Sequence, residues 1–128
     1  MYKLFVRPVL EYAAPLWDGS LSQKSSDTLE SCQKLACKII LSNQYTDYFS
    51  AASALKIQNL QLRRREITKR FALDICQNKK FKHLFTKKHT TVTRNKDIYI
   101  EPKFRTRRFS TSPILHYTRL INSYAKTK

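Results

Sequence analysis

Apolar positions in the first half of the chain recur at helical spacing. Leu10, Ala13, Ala14 and Trp17, with Val6 and Val9 on the same face, predict a helix over 2–17. Pro8 must kink it or stand in its first turn. Pro15 ends it, and Asp18-Gly19-Ser20 forms the following turn. A second helix is predicted over 27–41. Asp27 caps it, and Glu30 at the third following position completes a capping box. Leu29, Cys32, Leu35, Ala36, Ile39 and Ile40 form its apolar stripe, with Lys34 and Lys38 on the polar side. A short helix over 46–55 turns Phe49 and Ala52 inward. The longest, over 59–78, starts at Asn59 as N-cap and stops at Asn78. Its apolar line is Leu60, Ile67, Phe71 and Ile75. Arg63, Glu66, Arg70 and Asp74 alternate in sign on an adjacent line, as on a solvated face. The expected core is Leu10, Trp17, Leu35, Ile39, Ile67 and Phe71.

Beyond Asn78 the periodicity weakens. Thr90 to Thr93 suit an extended segment, and 97–109 reads as an irregular arm anchored by Ile98, Tyr99, Ile100, Phe104 and Phe109. Ser112-Pro113 opens a last short helix over 114–124. A single glycine argues against tight hairpins. The expected fold is therefore all-α: a bundle of three to four helices over 2–78, then a basic, largely irregular arm over 79–128 with a short terminal helix.

Charge changes this picture. The formal net charge is +16. Residues 1–58 hold six Lys/Arg against five Asp/Glu, whereas 59–128 hold nineteen against four. Such asymmetry points the second half at a polyanion, with RNA or DNA ahead of a basic, soluble surface that has no specific ligand. Arg63, Arg65, Lys69, Lys79, Lys80, Lys82, Arg105, Arg107 and Arg108 are the candidate phosphate contacts. Phe81, Tyr99, Phe104 and Phe109 lie among them. They suit base stacking, although anchoring the arm is the commoner role for such residues.

Arg64 stands apart from this set. At about 100° per residue it falls between Leu60, Ile67 and Phe71, inside the apolar stripe. A charge there must be paired or reach water, so Arg64 is expected to be structural and to meet a carboxylate, with Glu11 and Glu30 as candidates.

Three cysteines, Cys32, Cys37 and Cys76, cannot all pair within the chain, which suits a reducing intracellular compartment. No C-x-x-C pair exists, and neither a metal site nor a cofactor is expected. No run approaches the length of a membrane span. No spacing of Ser, His and acid suggests a nucleophile with its base.

Several segments together resemble a known family. Tyr2, Val6, Arg7, Pro8, Leu10, Glu11, Tyr12, Ala13, Pro15 and Trp17 form the first block. Leu29, Glu30, Gln33, Ala36, Lys38, Ile39 and Ile40 form the second, and Tyr45, Leu55, Ile57, Leu60, Arg63 and Arg64 the third. In order and spacing these resemble the reverse transcriptase of non-LTR (LINE-type, jockey-like) retrotransposons, in the region following the catalytic palm. The resemblance covers most of 2–78. It is weaker at Arg108, Phe109, Ser112, Pro113 and Arg119 to Asn122. Lys56 stands where the family usually has glycine, and Asn59 replaces a serine while keeping a capping side chain.

The departures limit what the resemblance implies. The family's polymerase uses an adjacent pair of metal-binding aspartates, and this chain has no Asp-Asp. The resemblance therefore implies a non-catalytic C-terminal fragment of an RNA-directed DNA polymerase. It would hold RNA or DNA, with the remainder of such a polymerase as a partner and the nucleus as a location. Met1 falls where the family is inside a helix, as a fragment would. A helical module for an acidic protein, or an element remnant without function of its own, are the competing readings.

Overall fold

The structure, a computed structural model, describes residues 1–88 and 98–127. It is all-α, and among the described residues the only extended pairing is an isolated antiparallel bridge between Lys87 and Tyr99. The expected extended segment Thr90 to Thr93 lies outside the described residues.

The predicted first helix is broken. A π-helical turn, Tyr2–Val6, runs into α1 (Arg7–Glu11), with Pro8 in its first turn. Ala13 then takes a left-handed conformation (φ 50°), and α2 (Ala14–Trp17) leaves in a new direction. The Trp17 indole N–H donates to the Tyr12 carbonyl across this break at 2.8 Å. Pro15 starts α2 rather than ending a helix, because proline is tolerated in a first turn.

Helix α3 (Gln23–Leu41) begins one turn before the predicted start. Its cap is Ser22, whose side chain accepts from the Ser25 amide, and Asp27 lies inside the helix. Asp47 caps α4 (Tyr48–Ala54), accepting from the amides of Phe49 and Ser50. A hydrogen bond from the Ser50 side chain, with these amide bonds, holds its carboxyl below the usual range. Asn59 caps α5 (Leu60–Gln77) as predicted. After a basic turn, α6 (Arg107–Ser110) and α7 (Pro113–Thr127) follow.

Helix α5 is the central element, packed on α2, α3 and α7. Its buried positions are Leu60, Arg64, Thr68, Ala72 and Cys76, every fourth residue. That row lies beside the predicted apolar line. Ile67 and Ile75 remain half-buried, while Phe71 sits at the margin, edge-on to Tyr117. The small residues of the row let α7 approach, and Ala72 and Cys76 join Phe85, Tyr99, Tyr117 and Ile121 in one core cluster. A second cluster gathers Tyr2, Cys37, Ala51 and Ile57. Ile114, Tyr117 and Ile121 of α7, the terminal helix expected within the arm, thus share a core with α5.

The predicted face of α3 requires a correction. Leu35 and Ile39 are 59% and 70% exposed, whereas Ser26, Gln33 and Cys37 point inward. Gln33 explains the rotation. Its side chain accepts from the Tyr2 hydroxyl (2.8 Å) and donates to the Tyr48 hydroxyl (2.7 Å) and the Gln58 carbonyl (3.0 Å). A buried amide satisfied on three sides fixes which face turns in.

Asn122 ties the irregular segment to α7. Its side-chain oxygen accepts from the amides of Ile98 and Tyr99, and its amide donates to the Tyr99 carbonyl at 2.9 Å. Tyr99 is accordingly an anchor, as the commoner role for such a residue required.

Candidate functional site

Arg64 is 1% exposed. Its Nε donates to Asp18 Oδ1 at 3.2 Å and its Nη2 to the Ser26 hydroxyl at 2.7 Å. The guanidinium lies 5.8 Å from the centroid of the Trp17 ring. The structural role expected for Arg64 is present, but its carboxylate is Asp18 and not Glu11 or Glu30. Glu11 receives Arg63 (2.6 Å) and Arg7 (3.0 Å) instead. Glu30 accepts from the Tyr48 hydroxyl, so that Oε1 is taken. Burial, together with that bond, pushes the Tyr48 hydroxyl far above its ordinary value. Asp18 reads in sequence as a turn residue; the break at Ala13 swings it under α5.

The remaining basic candidates divide by what occupies them. Arg63 is paired with Glu11, and the Lys69 ammonium sits 3.5 Å from the centroid of the Tyr124 ring. Arg65, Lys79, Lys80, Lys82, Arg105, Arg107 and Arg108 are exposed. Lys79, Lys80 and Lys82 share the turn that leaves α5. Arg105, Arg107 and Arg108 share the turn and helix that lead into α7. Phe81, Phe104 and Phe109, interleaved with these charges, are 39 to 46% exposed. Arg119 lies over the Phe104 ring at 5.5 Å while pairing with Glu101.

A polar cavity of about 180 Å³ borders Arg64, between Asp18-Gly19, the start of α3, α5 and His116 of α7. Gly19 is required there by proximity. A Cβ on it would stand 2.5 Å from His116 Cγ. Burial lowers the His116 pKa; Asp18 opposes this, and Arg119 and Arg65 add to it. Sequence gave no sign of His116, because a lone histidine on an amphipathic helix carries no spacing signal. An open apolar groove of about 570 Å³ adjoins this cavity at Leu21, lined also by Val9, Leu10, Tyr12, Trp17, Ser25, Thr28 and Leu29.

Among the described residues, no three His, Cys, Asp or Glu side chains gather in a metal-binding arrangement. No helix among them is long and apolar enough to cross a membrane. Cys32, Cys37 and Cys76 are free thiols, and burial pushes the last two up in pKa, away from reactivity. Comparison with known proteins brings no match from family models, curated proteins or solved structures.

Proposed function

We propose that the chain is a non-catalytic nucleic-acid-binding unit, of the kind that follows the palm in a non-LTR retrotransposon reverse transcriptase. The carrying observation is the surface of the second half. Exposed lysines and arginines alternate there with Phe81, Phe104 and Phe109, whose rings are left partly open rather than spent on the core. Cations for phosphates beside aromatic faces for bases are what single-strand binding without sequence preference requires.

Lys56 supports the family part of the reading. It occupies the place where the family carries glycine, and its φ of 51° is the left-handed conformation that glycine adopts without steric cost. No pair of adjacent aspartates is present to hold two metals, so the chain by itself polymerises nothing.

The test is binding of labelled single-stranded RNA and DNA across a salt series. Affinity should fall steeply with salt. Replacing Lys79, Lys80 and Lys82 together by alanine should reduce the log–log slope by about 2, at about 0.7 per phosphate contact on single strands. Binding indifferent to salt, or a slope unchanged in the triple variant, would count against this surface. No nucleotide incorporation should be detectable with Mg²⁺ or Mn²⁺.

A further inference from the structure

Two buried nitrogen atoms, Arg64 Nη1 and His116 Nε2, lack a protein partner, and both residues line the polar cavity. Arginine has five N–H donors and no acceptor, so Nη1 can be satisfied only by an acceptor atom, an oxygen or an unprotonated ring nitrogen. The Arg64 side chain is 1% exposed and is held by Asp18 and Ser26, so it cannot swing to solvent. The cavity also borders the first turn of α3 at Ser22 and Gln23. There the Ser22 oxygen takes the Ser25 amide and leaves the preceding first-turn amides, the positive end of a 19-residue helix. Arg65 lies on its rim.

We propose that this cavity binds one tetrahedral oxyanion, a phosphate group, against Arg64 Nη1, His116 Nε2 and the start of α3. The proposal does not rest on the nucleic-acid reading, since none of these groups belongs to the exposed Lys79–Lys82 or Arg105–Arg108 segments.

The chemistry favours an anion over a neutral guest. A liquid water takes about 30 Å³, so a cavity of about 180 Å³ accommodates several waters or one phosphate. Two guanidiniums, Arg64 and Arg65, face one carboxylate, Asp18, and that carboxylate is turned to Arg64 Nε. The charge balance at the rim is therefore positive before His116 contributes. His116 meets Asp18 from the turn, Arg65 from α5 and Arg119 from its own helix. An anion beside Nε2 reverses that balance and favours the imidazolium, which donates from both nitrogens. Phosphate binding and protonation of His116 are thus linked: each promotes the other.

The source of the phosphate is open to experiment, either free inorganic phosphate or the terminal monoester of a nucleic acid. The full chain would be titrated with inorganic phosphate while the His116 ring is followed by NMR. The expected result is a saturable shift of that ring with a raised His116 pKa in the bound form. Arg64→Lys, which keeps the charge and removes Nη1, should abolish saturation. Arg65→Gln, an exposed change that leaves the fold intact, should weaken binding about two- to fivefold. A 5′-phosphorylated dinucleotide that moves His116 more strongly than inorganic phosphate identifies a nucleic-acid end; the reverse order identifies the free anion. Unsaturable shifts spread over the exposed lysines with His116 unmoved would overturn the proposal. So would equal shifts from the 5′-hydroxyl dinucleotide, or an Arg65→Gln affinity equal to that of the parent.

Discussion

Replacing Asp18 by asparagine removes one charge and almost no volume, and it strands Arg64. The guanidinium would remain buried, with Nη2 on Ser26 but no countercharge. Removing one partner of a fully buried pair costs about 3–5 kcal/mol. Two features of this pair lower that figure. The Asp18 side chain retains 10% of its exposure, and the 3.2 Å contact is at the long end for a charged hydrogen bond. Asparagine also keeps an acceptor oxygen. The expected loss is about 2 kcal/mol, close to the value of one hydrogen bond to a charged group. With a urea m-value of about 2 kcal/mol/M, that is a midpoint shift of about 1 M. Chemical denaturation of four proteins measures it: the parent, Asp18→Asn, Arg64→Met and the double variant. In the Arg64→Met background the asparagine change should cost under about 0.5 kcal/mol, since no buried cation is left to strand. An Asp18→Asn loss below about 0.5 kcal/mol, or the same loss in both backgrounds, would refute the argument that this ion pair holds α2 under α5.

Leu35→Ala with Ile39→Ala should cost less than about 1 kcal/mol in total, where two buried positions would lose about 2–5 kcal/mol each; a thermal melt decides. Lys56→Gly should stabilise by about 0.5–1 kcal/mol. It relieves a left-handed residue costing about 1–2 kcal/mol and gives back part through unfolded-chain entropy, so a lower melting temperature would contradict the assigned φ. His116 has a depressed pKa in the folded chain. Its contribution to stability is therefore complete above the unfolded value of about 6.5 and is lost as pH falls below it toward the folded value. Denaturation midpoints of the parent and His116→Asn should converge between about pH 7.5 and pH 5, and parallel profiles would exclude the imidazole as their source.

Helix existence was legible where a cap and a periodic run coincide. Asn59 and the pattern after it place α5 to within a residue at each end. The face was less legible. On α3 the run Leu35, Ile39, Ile40 has the period of a core stripe, yet the hydrogen bonds of Gln33 turn the opposite side inward. Periodicity reports that a side is apolar; it does not report which side has a neighbour. Asp27 and Glu30 formed a plausible capping box, but Ser22 offered an earlier cap and the helix took it. Pro15 marked an interruption near Ala13, but not that a second helix restarts there, and nothing marked Ala13 as left-handed, because alanine is a helix former. That break explains why Arg64 could be identified as buried while its partner could not. Wheel geometry is local to α5, whereas Asp18, 46 residues away, is brought under it by the unpredicted break at Ala13.

The outward side of α3 has a colloidal consequence. Leu35, Ile39 and Ile40 lie open on a chain whose formal charge is +16. At low ionic strength, mutual repulsion keeps such molecules apart before their apolar strips can meet. The Debye length contracts from about 10 Å at 0.1 M salt to about 3 Å at 1 M. The salt series that tests the proposed nucleic-acid binding therefore also removes the barrier to self-association. Dispersity should decline at the concentrated end of a salt series, and a Leu35→Ser, Ile39→Ser variant should stay dispersed there.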